Sequence, residues 1–271
     1  MNKTETYKRE LTGLLDDLIA TGNADQLKAY LTSHSNLPGP RGNLELAQSF
    51  THVLESYAGQ WAGELWELCL AMAETSAHVA PVNTPQEFIP FCGTVGIGAL
   101  GAAWPGFFEQ ALTTLKRLAN DPRWRMREAV AMALQHLAAT RGSEIWQALQ
   151  AWIATGSLLE MRAAAAAVAE PALLGDAGLA VRAVHMHQTI LARVLQVQER
   201  KSEAFRILRQ ALGYTLSVVT QAAPEPGFQL MAGLAVSTDP DLRWIVRENL
   251  KKNRLLKNYP GQVASIHRLL N

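Results

Sequence analysis

The chain writes one phrase twice. From Asp121 it reads Asp-Pro-Arg-Trp-Arg-Met-Arg127-Glu, and from Asp241 it reads Asp-Leu-Arg-Trp-Ile-Val-Arg247-Glu. Aligned without a gap, the Asp, Arg, Trp, Arg and Glu positions coincide. Two more arginines stand in the equivalent place, Arg162 in Leu-Glu-Met-Arg and Arg209 in Ile-Leu-Arg-Gln. Each of these arginines follows an apolar residue, and the steps between them are 35, 47 and 38 residues. An acid lies six residues earlier in three copies (Asp121, Glu203, Asp241), whereas the second copy has Gly156 there. An irregular recurrence near forty residues is the mark of stacked supersecondary units, each too small to bury its apolar face alone.

The units are helical. Leucine and alanine dominate and β-branched residues are sparse, which favours helix. Val130, Ala133, Leu134 and Leu137 form an apolar stripe at helical spacing. Start signals recur. Thr84-Pro-Gln-Glu87 and Ser157-Leu-Leu-Glu160 read as capping boxes, and Asp121-Pro122 and Asp239-Pro240 place an acceptor before a proline. Breaks fall at 36–43, 80–83, 171–178, 224–227 and 258–261. No segment reads as a strand, since the Val218-Val219 pair is too short. The pattern predicts an all-α chain of about fourteen helices in roughly seven pairs. The expected architecture is a right-handed α-solenoid spanning 1–271 as one domain. Within it, 1–80 forms divergent acidic repeats and 84–271 the basic ones.

The motif of an acid, five residues and an arginine beside an aliphatic residue resembles the second helix of HEAT repeats. That resemblance implies a structural ladder in which acid and arginine of neighbouring repeats pair: Asp121, Arg127, Arg162, Glu203, Arg209, Asp241 and Arg247. The chemistry is sound, because a carboxylate at a helix start meets free N–H groups and a guanidinium fork can bond it bidentately. Leu37-Pro-Gly-Pro-Arg-Gly-Asn-Leu-Glu-Leu-Ala47 and Arg243-Trp-Ile-Val-Arg-Glu-Asn resemble a bacterial group of uncharacterised HEAT-domain proteins, which implies a fold and no reaction. More distantly, the chain's size, Arg/Trp phrase and basic second half are similar to the HEAT-like alkylpurine DNA glycosylases. Those enzymes carry an essential aspartate in a tryptophan-rich cleft. The analogous stretch here, Phe88 to Trp104, holds no acid, so no catalytic residue is carried over.

Charge is near balance overall at +1 but unevenly placed. Residues 1–115 hold 5 Lys+Arg against 12 Asp+Glu, and residues 116–271 hold 20 against 12. A basic half of this kind suits a polyanion or an acidic partner. The expected binding face groups Arg123, Trp124, Arg125, Arg243, Trp244, Lys251, Lys252 and Arg254, with Lys257 beside them. In a solenoid the second helices usually line the concave side. There the cations would hold phosphates or carboxylates, and the tryptophans would stack on a base. The expected function is a binding or scaffold protein that holds a protein segment or a nucleic acid there. The alternative is a DNA-binding protein related to alkylation repair.

Other motifs yield little. Gly96-Ile-Gly98-Ala-Leu-Gly101 matches GxGxxG, but a dinucleotide site needs a preceding strand, and Pro90 interrupts the residues before it. Close helix packing explains the glycines. His185 and His187, two apart on a helix, point to different faces and lack a third ligand, so no metal is expected. No cofactor is expected either, in the absence of a nucleophile elbow or phosphate loop. Cys69 and Cys92 lie in apolar stretches outside any CxxC pair, which suits buried thiols in the cytoplasm. The first ten residues have no apolar core of a signal peptide. The uncharged stretch Phe88–Phe108 is long enough to span a bilayer, yet Pro90, Pro105 and its glycines make it a buried helix.

Overall fold

The computed structural model describes residues 2–270. Among these residues all regular structure is helical: fourteen α-helices and three short 3-10 turns, with no strand. The chain divides into two compact units, Met1–Gly142 and Ser143–Asn271.

The N-terminal unit holds α1 (Lys3–Thr21), α2 (Asp25–Ser33), α3 (Leu44–Ala73), α4 (Phe88–Ala103), α5 (Phe108–Leu118) and α6 (Trp124–Arg141). The sequence dictates that α4 is its centre. Its uncharged segment has no polar face to offer water, and a helix apolar all round must be enclosed. It packs between α3 and α6, with α2 and α5 also against it. Every residue from Pro90 to Ala102 is buried. The GxGxxG glycines serve this packing. A Cβ on Gly98 would lie 2.6 Å from the Ala133 Cβ of α6, and one on Gly101 would lie 2.6 Å from the Ala111 Cβ of α5. No helix among the described residues is long and apolar enough to cross a membrane.

The C-terminal unit holds α7 (Ser143–Thr155), α8 (Leu158–Val168), α9 (Ala177–Val194), α10 (Glu203–Ala222), α11 (Pro224–Ala235), α12 (Pro240–Leu250), α13 (Asn253–Asn258) and α14 (Pro260–Leu269). Its packing is that of an α-solenoid in two rows. In one row α7 meets α9, α9 meets α11 and α11 meets α14. In the other, α8 meets α10 and α10 meets α12. Sequence neighbours bridge the rows. The all-α solenoid expected from the doubled phrase is therefore the architecture found.

Local signals played out unevenly. Ser157 and Glu160 form the expected capping box, each side chain on the other's backbone N–H. Asp239 caps α12 through the N–H groups of Asp241 and Leu242, at 2.9 and 3.1 Å. Thr84 makes no capping bond. Glu87 turns instead to the Asn83 N–H at 2.7 Å and to Arg125. A fully buried carboxylate needs a cation more than a helix start needs a cap. The 224–227 break proves to be the start of α11.

The Gly98 contact generates a stability prediction. Gly98→Ala forces a methyl into the Ala133 backbone and should cost about 1–3 kcal/mol, as overpacking does. Urea denaturation checks it. An unchanged midpoint would show that α4 and α6 do not meet at Gly98.

Candidate functional site

The doubled phrase begins with arginines that the interior consumes. Arg123 and Arg125 are only 2% and 4% exposed. Arg123 grips both oxygens of Asp121, Nε at 3.0 Å and Nη2 at 2.7 Å, and Nη1 donates to the Ala80 carbonyl at 3.2 Å. Arg125 pairs with the buried Glu87 at 2.9 Å and donates to the Gly39 carbonyl at 2.5 Å and to Asn83 Oδ1 at 3.2 Å. Arg125 thus pins two loops onto the start of α6. Neither arginine has a free face to give a ligand, because both are buried and their Nη groups are bonded within the fold. Arg127 donates to the backbone carbonyls of Asp121 and Pro122 at 2.7 and 2.8 Å. Both of these acceptors belong to the backbone of its own repeat. Trp124 stays 43% exposed, with the Arg125 guanidinium 4.4 Å from its ring centre.

In the C-terminal unit four arginines share one role. Each helix of the α7–α9–α11–α14 row ends on carbonyls taken by a guanidinium. Arg193 donates to Ile153 and Gly156 at 2.6 and 3.1 Å, at the end of α7. Arg200 donates to Val194 and Leu195 at 3.2 and 3.4 Å, at the end of α9. Arg243 donates to Ala235 at 2.9 Å, at the end of α11. Arg243 and Arg247 both donate to Leu270, just after α14. The last turn of a helix leaves carbonyls without partners and carries partial negative charge, so a cation there is doubly favoured. Sequence reasoning missed Arg193 and Arg200. Neither stands in the repeated motif, and only Arg193, in the last turn of α9, bore any local signal.

A ladder pairing between residues named from the motif joins α10 to α12. Arg209 on α10 meets Asp241 on α12 at 3.0 Å. Arg200 joins it, 2.6 Å from Asp239 and 3.1 Å from Asp241. Burial works to raise the Asp239 carboxyl, but the Leu242 N–H and Arg200 outweigh it and hold the group below its ordinary value. Glu203 is exposed in the first turn of α10, and Arg162 is half-buried on α8.

What reaches solvent is a patch on α10, α12 and α13. Tyr214, on α10, is 49% exposed. Its hydroxyl accepts from Arg254 Nη2 at 2.7 Å. The guanidinium carbon of Arg254 and the Nζ of Lys252 lie 4.8 and 5.6 Å from the ring centre. Beside it, the half-buried Trp244 lies over Gly213, where a Cβ would meet the indole at 3.0 Å. The Arg209 guanidinium sits 3.9 Å from the centre of the Trp244 ring. Lys251 is exposed and paired with Glu248 at 2.5 Å. The sequence reading grouped Trp244, Lys251, Lys252 and Arg254 here but overlooked Tyr214, an isolated aromatic in a helical stripe.

The backbone beneath Tyr214 is fixed from two sides. Buried Asn249 of α12 accepts from the Ser217 N–H at 2.7 Å and donates to the Leu212 carbonyl at 2.8 Å, so it brackets Tyr214. From α9, His187 is fully buried. One ring nitrogen bonds the Ala183 carbonyl and the other Thr215, both at 2.9 Å. The carbonyl can only accept, so Nδ1 carries the proton and Nε2 accepts from the hydroxyl. Burial pushes the His187 pKa down to about 4, against which the Ala183 bond is a smaller effect. Both nitrogens are occupied inside the core, which answers the His185/His187 question without a ligand. Burial likewise raises the Cys69 and Cys92 thiols, leaving them protonated.

No family model matches the chain, and no curated protein matches it. Among solved structures it is similar to a designed armadillo repeat protein, at 14% identity and a TM-score of 0.30. The match covers 82% of this chain and 98% of the designed one.

His187 makes stability pH-dependent. Its folded pKa lies below the unfolded value of about 6.5, so the unfolded chain takes the proton first. Its contribution is whole above that value and is lost as pH falls toward about 4, for a total of about 3 kcal/mol. Between those limits wild type should lose about 3 kcal/mol more than His187→Gln, read by urea denaturation at each pH. Parallel pH profiles would contradict the buried neutral ring.

Proposed function

We propose that the chain is a non-enzymatic binding protein whose C-terminal unit holds an acidic macromolecular partner on the α10–α12–α13 face. One observation carries this reading. Arg123, Arg125, Arg193, Arg200 and Arg243 donate to acceptors of the fold, whereas Arg206, Lys252, Arg254 and Lys257 have no carboxylate partner among the described residues. From Arg247 to Leu270 the chain holds six Lys+Arg and a single acid, Glu248. A surface cluster of one sign raises the local concentration of oppositely charged partners and speeds their capture.

The acidic first part of the chain and the two-row stack support a scaffold role, in which a rigid helical frame presents a surface. A DNA-binding role fits the same cations. A glycosylase has no support in the site, since the stretch from Phe88 to Ala103 is packed inside the N-terminal unit and carries no carboxylate to act as a base. Arg243 drops out of the proposed face because Ala235 and Leu270 occupy it. Lys252 and Arg254 take its place as the residues to vary.

The test is fluorescence anisotropy at low salt with three labelled polyanions: single-stranded DNA, duplex DNA and poly-glutamate. At least one should bind, with affinity falling steeply as salt rises. The Lys252→Glu/Arg254→Glu variant should abolish that binding with its thermal unfolding unchanged. If none of the three binds wild type, the reading is wrong.

A further inference from the structure

The geometry points to a single-stranded nucleic acid as the partner of this face, with a phosphate held by Arg254 and Lys252 and a base stacked on Tyr214. The inference rests on the proposed polyanion-binding role and narrows it.

Three observations favour a flexible phosphodiester chain over an acidic peptide or a duplex. First, the cations surround an aromatic ring. Both Arg254 and Lys252 approach Tyr214, at 4.8 and 5.6 Å. A peptide of Asp and Glu has carboxylates for the cations and no aromatic face for the ring, so the exposed half of Tyr214 would gain little. A nucleic acid offers both charges and π-faces at adjacent positions. Second, the guanidinium is oriented but not exhausted. Arg254 spends one donor on the Tyr214 hydroxyl at 2.7 Å. Its remaining N–H groups meet no acceptor among the described residues, and a guanidinium presents five donors in a fixed fork. A phosphate can take two of them while the tyrosine bond keeps the fork in place. Third, about half of the Tyr214 side chain is exposed at the surface. Stacking on it requires an unpaired base, because duplex bases present only their edges.

The site is also preorganised. Asn249 and His187 fix the α10 backbone on either side of Tyr214, through Leu212, Ser217 and Thr215. Trp244 packs over Gly213, the residue before Tyr214 in α10, with Arg209 stacked on its ring. Little ordering is then left to oppose binding.

The experiment compares oligo-dT, oligo-rU, a duplex of equal length and poly-glutamate, on wild type, Tyr214→Phe and Tyr214→Ala. The expected result is preference for the single strands. Tyr214→Phe should retain binding within a few-fold, since the π-face survives. Tyr214→Ala should weaken it by about 5- to 150-fold, the range for one stacked base. Circular dichroism melting of each variant checks that the fold is intact. Equal binding of duplex, or tighter binding of poly-glutamate, overturns the single-strand assignment while leaving the polyanion reading standing. So does full retention of oligo-dT and oligo-rU binding by a folded Tyr214→Ala. Failure of every probe on wild type removes both.

Discussion

A guanidinium seated on the free carbonyls of a helix end is the interaction on which the C-terminal unit depends. A helix cannot satisfy its last four carbonyls from within. In a stack of short helices these ends recur every few turns, and each would have to face water or find a donor. Here Arg193, Arg200, Arg243 and Arg247 supply that donor for α7, α9, α11 and α14 in turn. Each clamp reaches from a later element back to an earlier helix end or, for Leu270, onto the chain's last described turn. The arginine therefore joins successive layers as well as capping a helix. Arg200 adds Asp239 and Asp241 to the same cluster, and Arg209 completes it.

The same accounting separates frame from face. Arginines that meet carbonyls or buried acids cannot recruit a partner without breaking the frame. Arg123 and Arg125 belong wholly to that class. Of the cations left over, Lys252 and Arg254 lie against Tyr214, just past the end of α12, in a stretch of sequence from 247 to 270 whose single acid is Glu248. The proposed binding face is thus built from cations that the frame does not hold.

Much of the fold was legible in the sequence, and for definite reasons. The recurring arginine beside an aliphatic residue reported the repeat, and the proline-marked starts located helices such as α12. The uncharged α4 segment could only be a buried helix or a membrane span, and its prolines and glycines decided between them. The site was less legible, because spacing does not reveal which way a guanidinium turns. Arg123 and Arg125 read as surface cations from their neighbours, yet Asp121, Ala80, Glu87 and Gly39 draw them inward from as far as 86 residues away. Tyr214 was silent, since one aromatic among Leu and Val in α10 reads as core until its exposure is known.

The most direct test of the clamp principle is the unfolding free energy of Arg200→Met. Methionine preserves much of the apolar stem and removes the guanidinium over Phe205 with its donors to Val194, Leu195, Asp239 and Asp241. The account predicts a loss of about 2 kcal/mol, the scale of hydrogen bonds to a charged group. A change within about 0.5 kcal/mol, as at an ordinary surface position, would contradict it.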